Sequence, residues 1–251
     1  MPQQPFEVEN HGQMIRGTAY VPAGTGRFPA VVLYHGFTGN RMEGGFFFVE
    51  LARRLCQAGI AAITFDFRNS GESDGRFDQM LVTGELSDGL RISQWAASQV
   101  YVDRSRMGLF GFSLGGMLAA CTVGRTPMYK ALLLGAPTTE RNLARNAQTR
   151  VDDAGRIVVG AYYMHEKFIE DLMTLDCISD VVRNPRPTML IQGDADTAVP
   201  PAVSQQFVDA MKEAGQDVEH VLVPDAGHVF NSPAHRELFI STAVDFFTRK
   251  L

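Results

Sequence analysis

Short apolar runs alternate with helically spaced apolar faces along most of this chain. Ala30-Val31-Val32-Leu33-Tyr34, Ala61-Ala62-Ile63-Thr64-Phe65, Met107 to Phe110, Ala131 to Leu134 and Thr188 to Ile191 are apolar or nearly so over a strand's length. Runs of that kind are expected where both faces of a parallel sheet are covered. Between them lie helical patterns. Phe48, Val49, Ala52, Leu55 and Cys56 recur at helical spacing until Gly59, a stop signal. Further helices are predicted over Glu85 to Val100 and Met117 to Thr122. Val203, Phe207, Met211 and Ala214 form another helical face, and Phe239, Ile240, Ala243, Val244 and Phe247 a final one. Phe6 to Val21 reads as two strands joined at Asn10-His11-Gly12, a good turn sequence. Val218 to Val223 is the last strand. The alternation predicts a single α/β domain over 1–251, with a mostly parallel central sheet flanked by helices.

One stretch breaks the rhythm. Thr138 to Asp180 separates two sheet strands by far more than one helix requires. Its segments Tyr162-Tyr163-Met164 and Phe168 to Met173 read as helical and amphipathic. The stretch, 138–180, is expected to be an inserted cap; an ordinary surface excursion is the plain alternative. Tyr162, Tyr163 and Phe168 are candidate substrate contacts, with packing in the core as the bland reading of each.

Composition narrows the function classes. The chain has 251 residues, 45% hydrophobic and 20% charged, with a net charge of −5, an ordinary globular balance. Nucleic-acid binding needs clustered positive charge. The nearest cluster, Arg141, Arg145 and Arg150, reads as a solvated face. Cys56, Cys121 and Cys177 are far apart and odd in number, so neither a disulfide framework nor zinc spacing is visible; they are expected to be buried and reduced. Met1-Pro2-Gln3-Gln4-Pro5 lacks the basic and apolar regions of a signal peptide, and no apolar stretch approaches a membrane span. A cytoplasmic location and no membrane partner are the expectation. Oligomeric state is left open, a homodimer included.

The chemistry-bearing residues follow strands. Ser113 lies in Gly111-Phe112-Ser113-Leu114-Gly115, between an apolar strand and an apolar helix. A nucleophile on so sharp a turn adopts strained backbone angles, and its flanking residues pass too close for a Cβ. The turn also sets the Leu114 N–H at a helix N-terminus, where negative charge is favoured. A serine hydroxyl needs a base. Of the six histidines, His228 is best placed, in the loop after the last strand. His11 in a turn, His220 in a strand and His235 at a helix start are read as structural, and His165 as surface. The base needs an acid. Asp196 is chosen from Gly193-Asp194-Ala195-Asp196, with Asp194 expected to tie the loop through backbone N–H groups. The second oxyanion donor is expected from the Phe37 N–H in His35-Gly36-Phe37-Thr38-Gly39, with His35 as a prop for that loop. No metal or organic cofactor is implied.

Ser113, Asp196 and His228 stand in the chain order of the α/β-hydrolase fold, and the chain resembles that superfamily over nearly its whole length. More narrowly it resembles the small bacterial cinnamoyl or feruloyl esterases and their carboxylesterase relatives. The likeness rests on His35-Gly36-Phe37-Thr38-Gly39-Asn40, Phe65-Asp66-Phe67 leading to Gly71-Glu72-Ser73-Asp74-Gly75, the Ser113 turn, and Gly227-His228-Val229-Phe230. The resemblance implies a Ser113–His228–Asp196 triad, oxyanion donors at Phe37 and Leu114, and a short cap after the sixth core strand. It implies cleavage of short-to-medium acyl or hydroxycinnamoyl esters. The family's feruloyl esterases often carry histidine and glutamine where Phe112 and Leu114 stand. A peptidase or amidase of the same fold is the nearest rival; the chain is short for one carrying the propeller of prolyl-oligopeptidase-type enzymes. Dienelactone hydrolases carry cysteine at the position of Ser113. A non-catalytic binding module is the alternative from a different class.

Overall fold

The computed structural model describes residues 3–251. Met1 and Pro2, which open the stretch read as lacking a signal peptide, lie outside them. The chain begins with an antiparallel hairpin, β1 (Gln3–Asn10) and β2 (Gln13–Tyr20), with Asn10 opposite Gln13. Its two turn residues, His11 and Gly12, both have positive φ, 50° and 77°. A two-residue turn of that hand matches the twist of the strands it joins.

The strand–helix alternation then follows: β3 (Phe28–Tyr34), α1 (Phe47–Gln57), β4 (Ala61–Phe65), α2 (Val82–Ser98), β5 (Val102–Phe112), α3 (Leu114–Arg125) and β6 (Ala131–Gly135). A long excursion holds α4 (Glu140–Gln148), a small hairpin of β7 (Val158–Val159) and β8 (Tyr162–Tyr163), α5 (Phe168–Leu172) and α6 (Cys177–Val182). The sheet resumes with β9 (Thr188–Gly193), α7 (Pro201–Glu213), β10 (Val218–Val223) and α8 (Pro233–Lys250).

Among the described residues, eight strands form one sheet in the order β1-β2-β4-β3-β5-β6-β9-β10. From β4 to β10 every neighbour is parallel; β2 joins β4 antiparallel. Period-2 alternation splits the inner strands between two cores. In β3, Ala30, Val32 and Tyr34 face the core under α2 and α3, while Val31 and Leu33 face the core under α1 and α8. Leu132 and Leu134 of β6 face the first, Ala131 and Leu133 the second. The second core is dense in rings: Phe47, Phe48, Phe110, Phe112, Phe239, Phe246 and Phe247 are all buried. Each such ring stabilises the fold by about 1.5–3 kcal/mol relative to exposure.

The chain leaves β3 toward β4 on one side and returns past it to β5 on the other. That reversal opens a crevice beyond the carboxyl ends of β3 and β5, the place where open α/β sheets bind ligands.

One expectation for the excursion changes. Tyr162-Tyr163 is not helical: it pairs antiparallel with Val158-Val159 across Gly160, at φ 59°. β-branched and aromatic residues flanking a glycine that takes positive φ favour a hairpin over a helix. Phe168–Leu172 is helical, as read. α6 packs on α3 and α7 in the layer flanking the sheet, and the buried Asp180 carboxylate accepts from Arg125 at the end of α3.

Candidate active site

Ser113 follows β5 directly and opens α3. Its backbone sits at φ 55°, ψ −115°, a conformation that costs an L-residue about 1–3 kcal/mol. The surroundings impose it. Its N–H donates to Gly135 O of β6 (2.8 Å), and its carbonyl accepts from Thr138 N–H (3.2 Å). A Cβ on Gly111 would lie 2.1 Å from Gly115 O, and one on Gly115 2.1 Å from Tyr34 O. Only glycine lets strand, turn and helix approach this closely.

The loop after β10 brings His228 to the serine. Ser113 Oγ lies 3.0 Å from His228 Nε2, and His228 Nδ1 lies 2.7 Å from Asp196 Oδ2. A carboxylate only accepts, so Nδ1–H donates to Asp196 and Nε2 is left to accept the serine proton. Asp196 follows β9 and is 3% exposed. Its Oδ1 accepts from Ala198 N–H (2.9 Å) and Val199 N–H (2.8 Å), and its Oδ2 also accepts from Gln192 Nε2 (2.9 Å). Four donors thus hold one buried carboxylate, which satisfies its charge without an ion pair. Asp194 Oδ1 instead accepts from Asp225 N–H (2.7 Å), joining the loops after β9 and β10. The Phe112 ring backs the imidazole, with centroids 5.3 Å apart.

The loop after β3 faces the serine from the other side. A Cβ on Gly36 would lie 3.3 Å from Ser113 Cβ. His35 is 1% exposed, and burial pushes its imidazole pKa down. Phe67 N–H donates to its Nε2 (3.2 Å), so Nδ1–H donates to Gly36 O (2.9 Å). Gly39 N–H donates to the same oxygen (3.0 Å). The Glu43 carboxylate accepts from Gly36 N–H (2.5 Å). Among the described residues, neither the Phe37 N–H nor the Leu114 N–H has a protein acceptor.

A cavity of about 180 Å³ opens at Ser113 and His228. Phe37, Leu143, Ala147, Val159 and Val199 form its apolar wall; Thr38, Thr138, Asn142, Asn146 and Arg150 are polar members of its lining. Asn142 and Asn146 both donate to Ala198 O. A second cavity of about 340 Å³ also reaches Ser113 and His228 and is lined by Gly36, Glu43, Phe112 and Val229 among others. A larger cavity, about 600 Å³, lies between α1 and α8 and includes none of these groups, so volume alone does not locate the chemistry.

Of the cap aromatics, none lines the cavity at Ser113. Tyr162 and Tyr163 are about half exposed, and Phe168 is fully buried. Tyr163 accepts from Arg156 and lies under its guanidinium. The insertion reaches the cavity through α4 and Val159 instead. Sequence reading passed over that helix, although Asn142, Leu143, Asn146 and Ala147 show i, i+4 spacing. Glu43 and Gln192 were missed too. The signal for Gln192 was an amide closing an otherwise apolar strand. Arg141, Arg145 and Arg150 are exposed, and the three cysteines are buried and free. No helix among the described residues is long and apolar enough to cross a membrane.

Comparison with known proteins places this geometry among relatives. The sequence matches the Prolyl oligopeptidase family over residues 48–251. An uncharacterized 31.7 kDa protein of Escherichia coli is 38% identical over 99 residues, 39% of this chain and 34% of that protein. The match thus spans about a third of the relative's length. Among solved structures, Est1E from Butyrivibrio proteoclasticus with ferulic acid bound has a TM-score of 0.86 at 21% identity, covering 98% of both chains. An acylaminoacyl peptidase of Pyrococcus horikoshii has a TM-score of 0.79 at 19% identity, covering all of this chain and 42% of that one. At these identities the likeness shows the fold, that of the α/β-hydrolases.

Proposed function

Because this chain belongs to the prolyl oligopeptidase family of α/β-hydrolases, we propose that it cleaves carboxylic esters by acyl transfer through Ser113. One observation carries the reading: the hydrogen-bonded line from Ser113 Oγ through His228 to the buried Asp196 carboxylate, with the serine held on a strained turn. His228 Nε2 takes the Ser113 proton as Oγ attacks the ester carbonyl. The carbonyl oxygen gains the charge and rests on the Phe37 and Leu114 N–H groups, which have no other acceptor. His228 then returns the proton to the leaving alcohol oxygen as its bond to the acyl carbon breaks. A water molecule repeats the sequence on the acyl-enzyme and frees Ser113. Asp196 holds the imidazole in the required tautomer throughout.

The small cavity with one apolar wall supports short-to-medium acyl groups, and the fold shared with a ferulic-acid-binding protein supports testing hydroxycinnamoyl esters beside them. Amides are the second reading, favoured by the family itself. The cavity on the α4 side of Ser113 has no carboxylate in its lining, while Glu43 lines the one on the other side of Ser113, so the ester reading stands first and p-nitroanilide turnover tests the other. The α4 helix and the β7–β8 hairpin act in this reading as a cap that bounds the acyl group.

The test is a panel of p-nitrophenyl esters of rising chain length, with methyl ferulate and a p-nitroanilide beside them. Ester turnover that disappears in Ser113→Ala, together with fluorophosphonate labelling of the parent but not the variant, is the expected result. Unchanged turnover in Ser113→Ala would refute the assignment. Absence of both labelling and turnover would leave a binding module.

A further inference from the structure

The Phe37 N–H has an unusual requirement: to serve an oxyanion it must be left without a partner, so its own hydrogen bond cannot hold it in place. Its peptide unit is pinned from the other end. Gly36 O accepts from His35 Nδ1–H and from Gly39 N–H. Beyond that point the loop is under strain, with Thr38 at φ 63°. The Phe37 C=O has no protein donor among the described residues either. What remains to fix the Cα end of the unit is the ring.

That ring packs against two others. One is Phe168 of α5, with centroids 5.7 Å apart and planes at 20°. The second is Phe77, at 5.7 Å and 46°. Phe77 in turn meets Tyr162 of β8 edge-on at 5.3 Å. Both neighbours of Phe37 therefore lead to the inserted segment, one directly and one through Tyr162. The α5 end of the clasp is itself anchored. The Asp171 carboxylate accepts from Thr83 N–H (3.0 Å) and from the Thr83 hydroxyl, at the first turn of α2. Phe168 is fully buried and absent from the wall of the cavity at Ser113, so its place is behind the oxyanion loop and not against an acyl group.

We infer that Phe168 and Phe77 are positioning residues that clamp the Phe37 ring and so aim its N–H at the oxyanion, coupling the seat of the inserted segment to catalysis. The inference rests on the reading of Phe37 as an oxyanion donor. Misplacing a catalytic donor by a fraction of an ångström weakens transition-state binding while leaving ground-state binding largely intact.

The experiment compares Phe168→Leu, Phe77→Leu and Phe77→Tyr with the parent on p-nitrophenyl butyrate, and measures inhibition by a trifluoromethyl ketone, which adds a serine to form a tetrahedral oxyanion. Each leucine variant should lower kcat about 10-fold with KM within about 2-fold, and raise the ketone's Ki in parallel. Phe77→Tyr, which keeps the ring at a half-buried position, should restore both. A raised KM with kcat and Ki unchanged would overturn the inference, because the rings would then only shape the substrate cavity. So would unchanged values throughout. Should Phe168→Leu fail to fold, the Phe77 pair decides. Ser113→Ala run in parallel separates the two levels. If it retains turnover the serine reading fails, whereas if it is dead and the leucine variants are normal only the clasp fails.

Discussion

Asp194 and Asp196 stand two residues apart after the same strand, yet their surroundings give them different work. Asp196 is buried, collects four donors and reaches His228; Asp194 holds the neighbouring loop through Asp225. Asp196→Asn should therefore lower kcat on the order of 10⁴-fold, since an amide reverses the tautomer that frees Nε2. Asp194→Asn should cost little activity. Steady-state kinetics on one ester distinguishes them, and the opposite ranking would show that the roles are exchanged. At this scale the sequence was legible wherever backbone crowding dictates residue type, as at Gly111 and Gly115, where a Cβ would strike a carbonyl. It was silent on Glu43. That residue steadies the loop after β3 from seven positions away, in a polar segment without periodicity.

The helices and strands were legible where their apolar period is long, and least so in the insertion. Two-residue strands such as β7 and β8 carry no period to count, and the i, i+4 face of α4 was hidden among its charges. α2 was found, but it holds a residue the pattern does not explain. Glu85 is 3% exposed, and its Oε2 has no protein partner among the described residues. Burial, reinforced by Asp88 and Asp171, raises its pKa well above 4.5. The folded state therefore keeps its proton where the unfolded chain loses it, and stability falls as pH rises above about 4.5. Glu85→Gln removes that dependence. Its melting temperature should exceed the parent's by about 2–4 °C at pH 8, with the gap closing toward pH 5. Calorimetry at the two pH values checks it; a gap that is constant or reversed would show that Glu85 is ionised in the fold.

Across the whole molecule, the sheet divides the chemistry unevenly. A parallel α/β sheet and the placing of candidate residues after strand ends were both readable from sequence. The strand order was not, because it is fixed by contacts between segments that carry no mark of one another. That order puts Ser113 just after a central strand, Asp196 after the last but one and His228 beyond the edge strand β10. β10 has a neighbour on one side only, and Leu222 near its end is half exposed. Outer strands open at lower free energy than central ones. On warming, β10 and its loop should detach first and carry His228 away while the turn at Ser113 stays folded. Ester turnover should vanish several degrees below the midpoint of the circular dichroism melt and return on cooling, and amide hydrogens of β10 should exchange ahead of those of β5. Coincident loss of turnover and ellipticity would contradict this. An enzyme arranged so is disarmed by fraying before it is denatured, and heat reaches its chemistry sooner than its core.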